Sequence, residues 1–189
     1  HFDAIEGYKK SRVSIICEKN KNKLNILKKK YPNKLITNDE NKIFEDKKIN
    51  LVSIASYDNY HFNQIEKGLK NKKNLIIEKP LCLNLLELKK IKNLLQKNKN
   101  ISITSNLVLR VNSLFQKLKK ITNNINKIYY IEGDYIWGRR QKLYGWRSKI
   151  KNYSLIHGAA IHMIDLIMWL TGLKPKTVYC VGKKKFTKN

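Results

Sequence analysis

Apolar positions recur along the chain in a repeating rhythm. Residues 12–17 (R-V-S-I-I-C) are a short β-branched run of the buried-strand kind, and residues 20–30 place Leu24 and Leu27 at helical spacing before Pro32. The unit then repeats. Residues 51–55 (L-V-S-I-A) predict a second strand, and 60–69 a helix with Phe62, Ile65 and Leu69 on one face. Residues 74–77 predict a third strand ending at Glu78-Lys79-Pro80; Asn84-Leu85-Leu86-Glu87 is a capping-box-like start for a helix to about 97, and 101–104 a fourth strand.

Strands alternating with helices of this length predict right-handed parallel crossovers, hence an α/β fold with a doubly wound parallel sheet. Such sheets bind ligands at the carboxyl ends of their strands. After about residue 106 the rhythm changes to a helix (113–121), a long alternating strand (127–137), an Arg/aromatic loop, a strongly apolar helix (155–170) and a strand (177–181). This reads as two domains, 1–105 and 106–189, the second an α/β domain. Residues 2–8 read as the remains of a first crossover helix, so the expectation is a chain cut at its N-terminus, and at its C-terminus as well.

The stretch 155–170 carries His157, His162 and Asp165, and no apolar run reaches the roughly 18 residues of a membrane span. Cys17, Cys82 and Cys180 are odd in number and far apart, without C-x-x-C spacing; neither a disulfide framework nor a metal site is expected, and reduced thiols point to the cytoplasm. The formal charge of +26 invites a nucleic-acid reading. The composition favours another source: 35 of the 40 basic residues are Lys, and Lys, Asn and Ile, all with A/T-rich codons, fill 81 of 189 positions. The Lys residues are spread along the chain, and base readers and phosphate clamps favour Arg.

Several polar groups stand where chemistry is expected. Glu18 directly follows a strand, where an acid accepts hydrogen bonds from the adenosine ribose hydroxyls of a dinucleotide and repels a 2′-phosphate, favouring NAD over NADP. It reads equally as a solvated loop acid. Lys79 ends a buried-type strand before Pro80 and is placed for proton transfer in the crevice; the alternative is one surface Lys among 35. His162 sits on the most apolar helix with Asp165 three residues on, which reads as a functional His or a buried structural pair. His61 follows the loop Ser56-Tyr57-Asp58-Asn59, as a cofactor-side group or an N-terminal packing residue. Trp137, Arg139, Arg140, Tyr144, Trp146 and Arg147 interleave aromatics and Arg, a pattern that stacks bases or grips sugars and anions. No G-x-G-x-x-G turn occurs in the sequence.

Taken together, I-I-E-K-P-L at 76–81, A-S-Y-D-N-Y-H at 55–61, N-L-V-L-R at 106–110 and I-H-M-I-D-L at 161–166 resemble the glucose-fructose oxidoreductase / inositol dehydrogenase (Gfo/Idh/MocA) family, in order and spacing over essentially the whole chain. The resemblance implies a Rossmann-type domain lacking its first strand and Gly-rich turn, then an incomplete α/β domain with a mainly antiparallel sheet for substrate and oligomer contacts. It implies Lys79 and His162 as catalytic residues. Glu18, Ser56, Tyr57, His61, Glu78 and Lys79 are expected on the cofactor, NAD in preference to NADP. Arg110, Trp137, Arg139, Arg147, His157 and His162 are expected on the substrate. Two departures stand out: Gly158 where many members carry Asp, with His157 a partial substitute, and Tyr57 where the loop usually has Pro.

The expected function is hydride transfer between nicotinamide and a carbinol carbon of a sugar, polyol or nucleotide-sugar, in a cytoplasmic enzyme that is a homo-oligomer at full length, with no nucleic-acid or membrane partner. The alternatives are a non-catalytic cofactor-binding or scaffold protein of the same fold, and a basic nucleic-acid-binding module using the 137–147 loop.

Overall fold

The computed structural model describes residues 1–139, 141, 144–151 and 153–182. The chain divides into two compact units: unit 1 is His1–Leu107 with Gly138–Gly158, and unit 2 is Val108–Trp137 with the chain from Ala159 onward. The first expected boundary lies close to the observed one, but the Arg/aromatic segment 138–158 clusters with unit 1 and not with the second unit.

Unit 1 opens with helix α1 (Phe2–Glu6), then β1 (Ile15–Cys17), α2 (Lys21–Lys30), β2 (Leu35–Thr37) and α3 (Asn41–Phe44). It continues through β3 (Leu51–Ile54), α4 (His61–Lys70), β4 (Asn74–Ile77), α5 (Leu85–Lys97) and β5 (Ile103–Ser105). All ladders are parallel: β1 pairs with β2, and β3, β4 and β5 form a second sheet in that order. A doubly wound parallel sheet lacking its first strand was expected; every ladder is parallel, and β1 and β3 share no ladder bond, so the strands stand in two groups.

The βα rhythm has plain local causes. In β3 and β4 alternate residues are buried, and Val52, Ile54, Leu75 and Ile77 join Phe44, Ile65, Leu69 and Ile91 in one core cluster. Each such side chain contributes about 1.5–3 kcal/mol by leaving water. Helix α4 buries His61, Ile65, Gly68 and Leu69, one face at helical spacing. Gly68 is needed there because a β-carbon would stand 2.6 Å from a Leu75 methyl, so this helix meets β4 backbone to side chain. Helices α2 and α5 start at Asn20 and Asn84, whose side chains accept the N–H of Lys23 and Glu87. The Glu87 carboxylate returns to the Leu83 N–H at 2.9 Å. Lys73 is buried, its ammonium donating to the carbonyls of Asp46 and Ile49 at 2.6 and 2.7 Å, which fastens the turn before β3.

Unit 2 contains a 3-10 turn (Val108–Val111), helix α6 (Ser113–Thr122), and helix α7 (Ile161–Thr171). Lys119 and Thr122 both donate to the Leu170 carbonyl at 3.1 and 3.0 Å, joining α6 to α7. Helix α7 ends on Gly172 at φ +71°, a left-handed cap whose N–H reaches Met168 O. The expected helix 155–170 is a π turn over Ile156–Ala160 followed by α7. The strands expected at 127–137 and 177–181 form no ladder among the described residues. Alternation alone does not make a strand; a partner has to take the backbone bonds, and Tyr129, Tyr130, Ile136 and Tyr179 are left exposed.

Candidate active site

Lys79 emerges at the carboxyl end of β4, followed by a cis Lys79–Pro80 peptide. Its ammonium donates to the carbonyl of Gly158 at 2.5 Å. Pro80 is fully buried, and His61, also fully buried, hydrogen-bonds its carbonyl at 2.7 Å and that of Ser56 at 3.2 Å. One ring thus ties the loop after β3 to the turn after β4. That placement corrects one expectation: a side chain with no exposed surface does not touch a cofactor, so His61 holds the loops that flank Lys79.

Ser56 donates its hydroxyl to Gln64 Oε1 at 2.6 Å; Gln64 in turn donates to Glu40 Oε2 at 2.9 Å, and Lys67 to Glu40 Oε1 at 2.5 Å. This chain fixes the Ser56 rotamer. Glu78 accepts from Asn106 at 2.7 Å and from His1 at 2.7 Å, bracing the ends of β4 and β5. His1 also bonds the Ser53 hydroxyl. Glu18 follows β1; its N–H donates to Thr37 O, and one carboxylate oxygen accepts the Asn20 N–H at 2.8 Å.

The segment 138–158 packs onto this loop region within unit 1. Tyr57 stacks on Trp146 with centroids 4.2 Å apart and planes 12° from parallel, and the Arg147 guanidinium lies 4.1 Å from the Trp146 centroid. Asp58 beneath is buried; burial pushes its carboxyl above the usual range, while Arg147, His61 and Lys79, all close enough to act on it, oppose the shift. Tyr153 lies against Gly158: a β-carbon there would meet the Tyr153 hydroxyl oxygen and stand 2.9 Å from its Cζ. His157 Nδ1 bonds the Ser154 hydroxyl at 3.1 Å, and Arg139 is exposed. Arg140 lies outside the described residues.

In unit 2, His162 is half-buried on α7, its ring parallel to Tyr135 with centroids 6.3 Å apart. Asp165 is paired with Arg110: Nε–Oδ2 is 2.8 Å and Nη2–Oδ1 2.5 Å, a fork that raises the Arg110 pKa. Asp165 gives both oxygens to Arg110, which ties the Val108–Val111 turn to α7 within unit 2. Trp137 is half-buried in the same unit.

Sequence reading missed Asp58, Tyr153 and the Gly158 carbonyl as members of the Lys79 cluster. Asp58 carried a usable signal, being an acid in a loop directly after a buried strand; Tyr153 carried none.

Parallel strands whose carboxyl ends carry an acid (Glu18), a hydroxyl (Ser56) and a Lys (Lys79) have the build of the Rossmann class of dinucleotide-binding folds. The sequence model of the oxidoreductase family with an NAD-binding Rossmann fold matches residues 1–106, and that of the family's C-terminal alpha/beta domain matches 119–189. The chain belongs to this family, Gfo/Idh/MocA. A relative, an uncharacterized oxidoreductase (YhhX) of Escherichia coli K12, is 23% identical over 145 residues, 76% of this chain and 41% of that protein. The fold is similar to myo-inositol 2-dehydrogenase of Lactobacillus plantarum, with TM-score 0.78, 21% identity, 89% of this chain and 51% of that chain. It is also similar to scyllo-inositol dehydrogenase of Lactobacillus casei with bound NAD(H) and scyllo-inositol: TM-score 0.75, 19% identity, 90% and 51% coverage. The chain spans about half the length of these structures.

The residues present are compatible with NAD at two places: Glu18 puts a carboxylate at the end of β1, and Ser56-Tyr57 and Lys79 stand at the ends of the neighbouring strands β3 and β4. No residue of this chain is assigned to the diphosphate, for which the sequence offers no glycine-rich turn. The three cysteines are free thiols, and among the described residues no helix is long and apolar enough to cross a membrane.

Proposed function

We propose that the whole protein is an NAD-dependent oxidoreductase that moves a hydride between nicotinamide and a carbinol carbon of a polyol, sugar or nucleotide-sugar. The observation that carries this reading is Lys79: a Lys at the carboxyl end of a core strand, locked by a buried Pro80 and His61 and directed onto the Gly158 carbonyl. The inositol dehydrogenases of similar fold favour a cyclic polyol within that range.

Bound NAD supplies the hydride acceptor, or NADH the donor. Lys79 takes the hydroxyl proton during oxidation at Nζ and returns it during reduction. Glu18 accepts hydrogen bonds from the adenosine ribose and disfavours a 2′-phosphate by charge. Ser56 and Tyr57 line the cofactor side of Lys79, with Glu78 bracing the strand end. His162 is the second acid–base or orienting group, contributed by α7, and Arg110 keeps that helix in register through Asp165. The same reading gives Arg147, Arg139, Trp137 and His157 the role of meeting substrate hydroxyls. The reading extends to a cytoplasmic homo-oligomer.

The test is an initial-rate screen of the whole protein with NAD and with NADP over inositols, aldoses and nucleotide-sugars. Turnover with NAD on at least one cyclic polyol or sugar is expected. NADH binding without turnover on any of them would contradict the reading and favour a scaffold protein of the same fold.

A further inference from the structure

His1 stands at the N-cap of α1, yet its side chain makes no capping bond. Its ring reaches the parallel sheet instead. Nδ1 bonds the Ser53 hydroxyl on β3, and Nε2 bonds the Glu78 carboxylate, just past β4, at 2.7 Å. The same carboxylate oxygen accepts the Asn106 side-chain N–H, just past β5, at 2.7 Å. A carboxylate only accepts, so Nε2 carries the proton in this bond, while the Ser53 hydroxyl serves Nδ1 whether that nitrogen is protonated or not. The arrangement therefore holds in both charge states of the ring.

Stability does not call for it. The His1 and Glu78 side chains are 28% and 34% exposed, and a pair so placed contributes little to folding. Position gives the pair another use. The Glu78 N–H donates to Ile54 O at 2.9 Å and the Asn106 N–H to Ile77 O at 2.7 Å, at the ends of the β3–β4 and β4–β5 ladders. The next residue is Lys79, and Pro80 after it has no N–H with which to extend a ladder. His61 holds the far flank of Lys79 through the Pro80 carbonyl. His1 holds the near flank through the Glu78 carboxylate. Between these two flanks the Lys79 ammonium is set on the Gly158 carbonyl at 2.5 Å.

We propose that His1 is a positioning residue of the reaction: with Asn106 it holds Glu78, and through Glu78 it fixes the backbone from which Lys79 presents its amine to the carbinol proton. This rests on the oxidoreductase reading. The proton and the hydride move as in that reading, and the part of His1 is geometric. A displacement of about 1 Å at a reacting group costs up to about 10²-fold in rate, so the loss of one of two clamps acts on kcat while cofactor and substrate still bind.

The test compares the wild-type whole protein with His1→Phe, His1→Gln, Glu78→Ala, the double variant His1→Phe/Glu78→Ala and Lys79→Met, using NAD and myo-inositol or scyllo-inositol. It reads kcat, KM, NADH affinity by fluorescence and the thermal midpoint. For His1→Phe the expected result is a fall in kcat of about 10-fold, with KM and NADH affinity within about twofold and the midpoint within about 3 °C of wild type. His1→Gln sets an amide N–H where Nε2 stood, and its kcat is expected within about threefold of wild type. In the Glu78→Ala background His1→Phe is expected to change kcat by less than about twofold, because the group it acts through is gone. Equal losses in both backgrounds, a Gln no better than Phe, a midpoint or NADH affinity that falls along with kcat, or a His1→Phe kcat within about twofold of wild type overturns the role of His1. If Lys79→Met loses turnover in the same assay, the oxidoreductase reading survives that failure. If Lys79→Met keeps its turnover, or the wild type turns over neither inositol, the site itself is wrong and the role of His1 falls with it.

Discussion

The Lys79 ammonium donates to the Gly158 carbonyl at 2.5 Å, across 79 positions of sequence. That bond joins the core strand β4 to the segment 138–158 inside unit 1 and sets where the Lys79 charge sits. Because Tyr153 packs against the same glycine, residue 158 has no room for a side chain.

Gly158→Ala therefore forces Tyr153 aside, at about 1–3 kcal/mol, the usual cost of overpacking. Urea unfolding checks this. In a Tyr153→Ala background the same substitution is expected to cost less than about 0.5 kcal/mol, since the clashing ring is gone. An equal penalty in both backgrounds contradicts the packing described.

His61 is fully buried and serves two carbonyls on two different loops. His61→Ala removes the ring packed between the Pro80 and Ser56 carbonyls, to which a neutral imidazole gives its single N–H, and opens a cavity, so a loss of about 2–5 kcal/mol is expected by chemical denaturation. NADH affinity is expected to weaken with it, through the displaced Ser56 loop. An unfolding midpoint equal to wild type sinks the loop-clamp role.

Glu40 gives a pH-dependent signature. Burial raises its carboxyl, but hydrogen bonds from Lys67 and Gln64 outweigh burial, and the net shift is downward from 4.5. A depressed carboxylate contributes stability above its unfolded pKa and loses it as pH falls through the folded one. The wild type is thus expected to exceed Glu40→Gln by up to about 1 kcal/mol near pH 7, the gap closing as pH falls from about 4.5 downward. Thermal unfolding of both proteins from pH 7 to pH 3 checks this; a gap that stays constant contradicts the pairing.

Much of unit 1 was legible because its signals are local. Buried strands β3 and β4 announce themselves as L-V-S-I and N-L-I-I, and Asn84 with Glu87 marks the start of α5. The strand-end position of Lys79 was legible because Pro80 follows it. By contrast β2 is L-I-T between Lys34 and Asn38, too short to show a period, and it exists because β1 offers a parallel ladder. Asp165 was read with His162 from helical spacing, yet Arg110, 55 positions earlier, wins it with a two-pronged fork that no spacing rule contains. The Tyr153–Gly158 contact is close in sequence but depends on an irregular turn anchored by Trp146 on Tyr57, so it follows from tertiary packing and not from pattern. The alternation at 127–137 misled because it describes a strand's faces and says nothing of its partner.

The most direct measurement is turnover and NADH binding of Lys79→Met in the whole protein beside wild type. Met keeps the length and removes the proton carrier. The expected result is a fall in kcat of about 10²–10⁴-fold with NADH affinity changed by less than about threefold. A Lys79→Met protein that keeps most of its turnover number would show that the β4-end Lys is not the acid–base group, and the account of the site would be wrong at its centre.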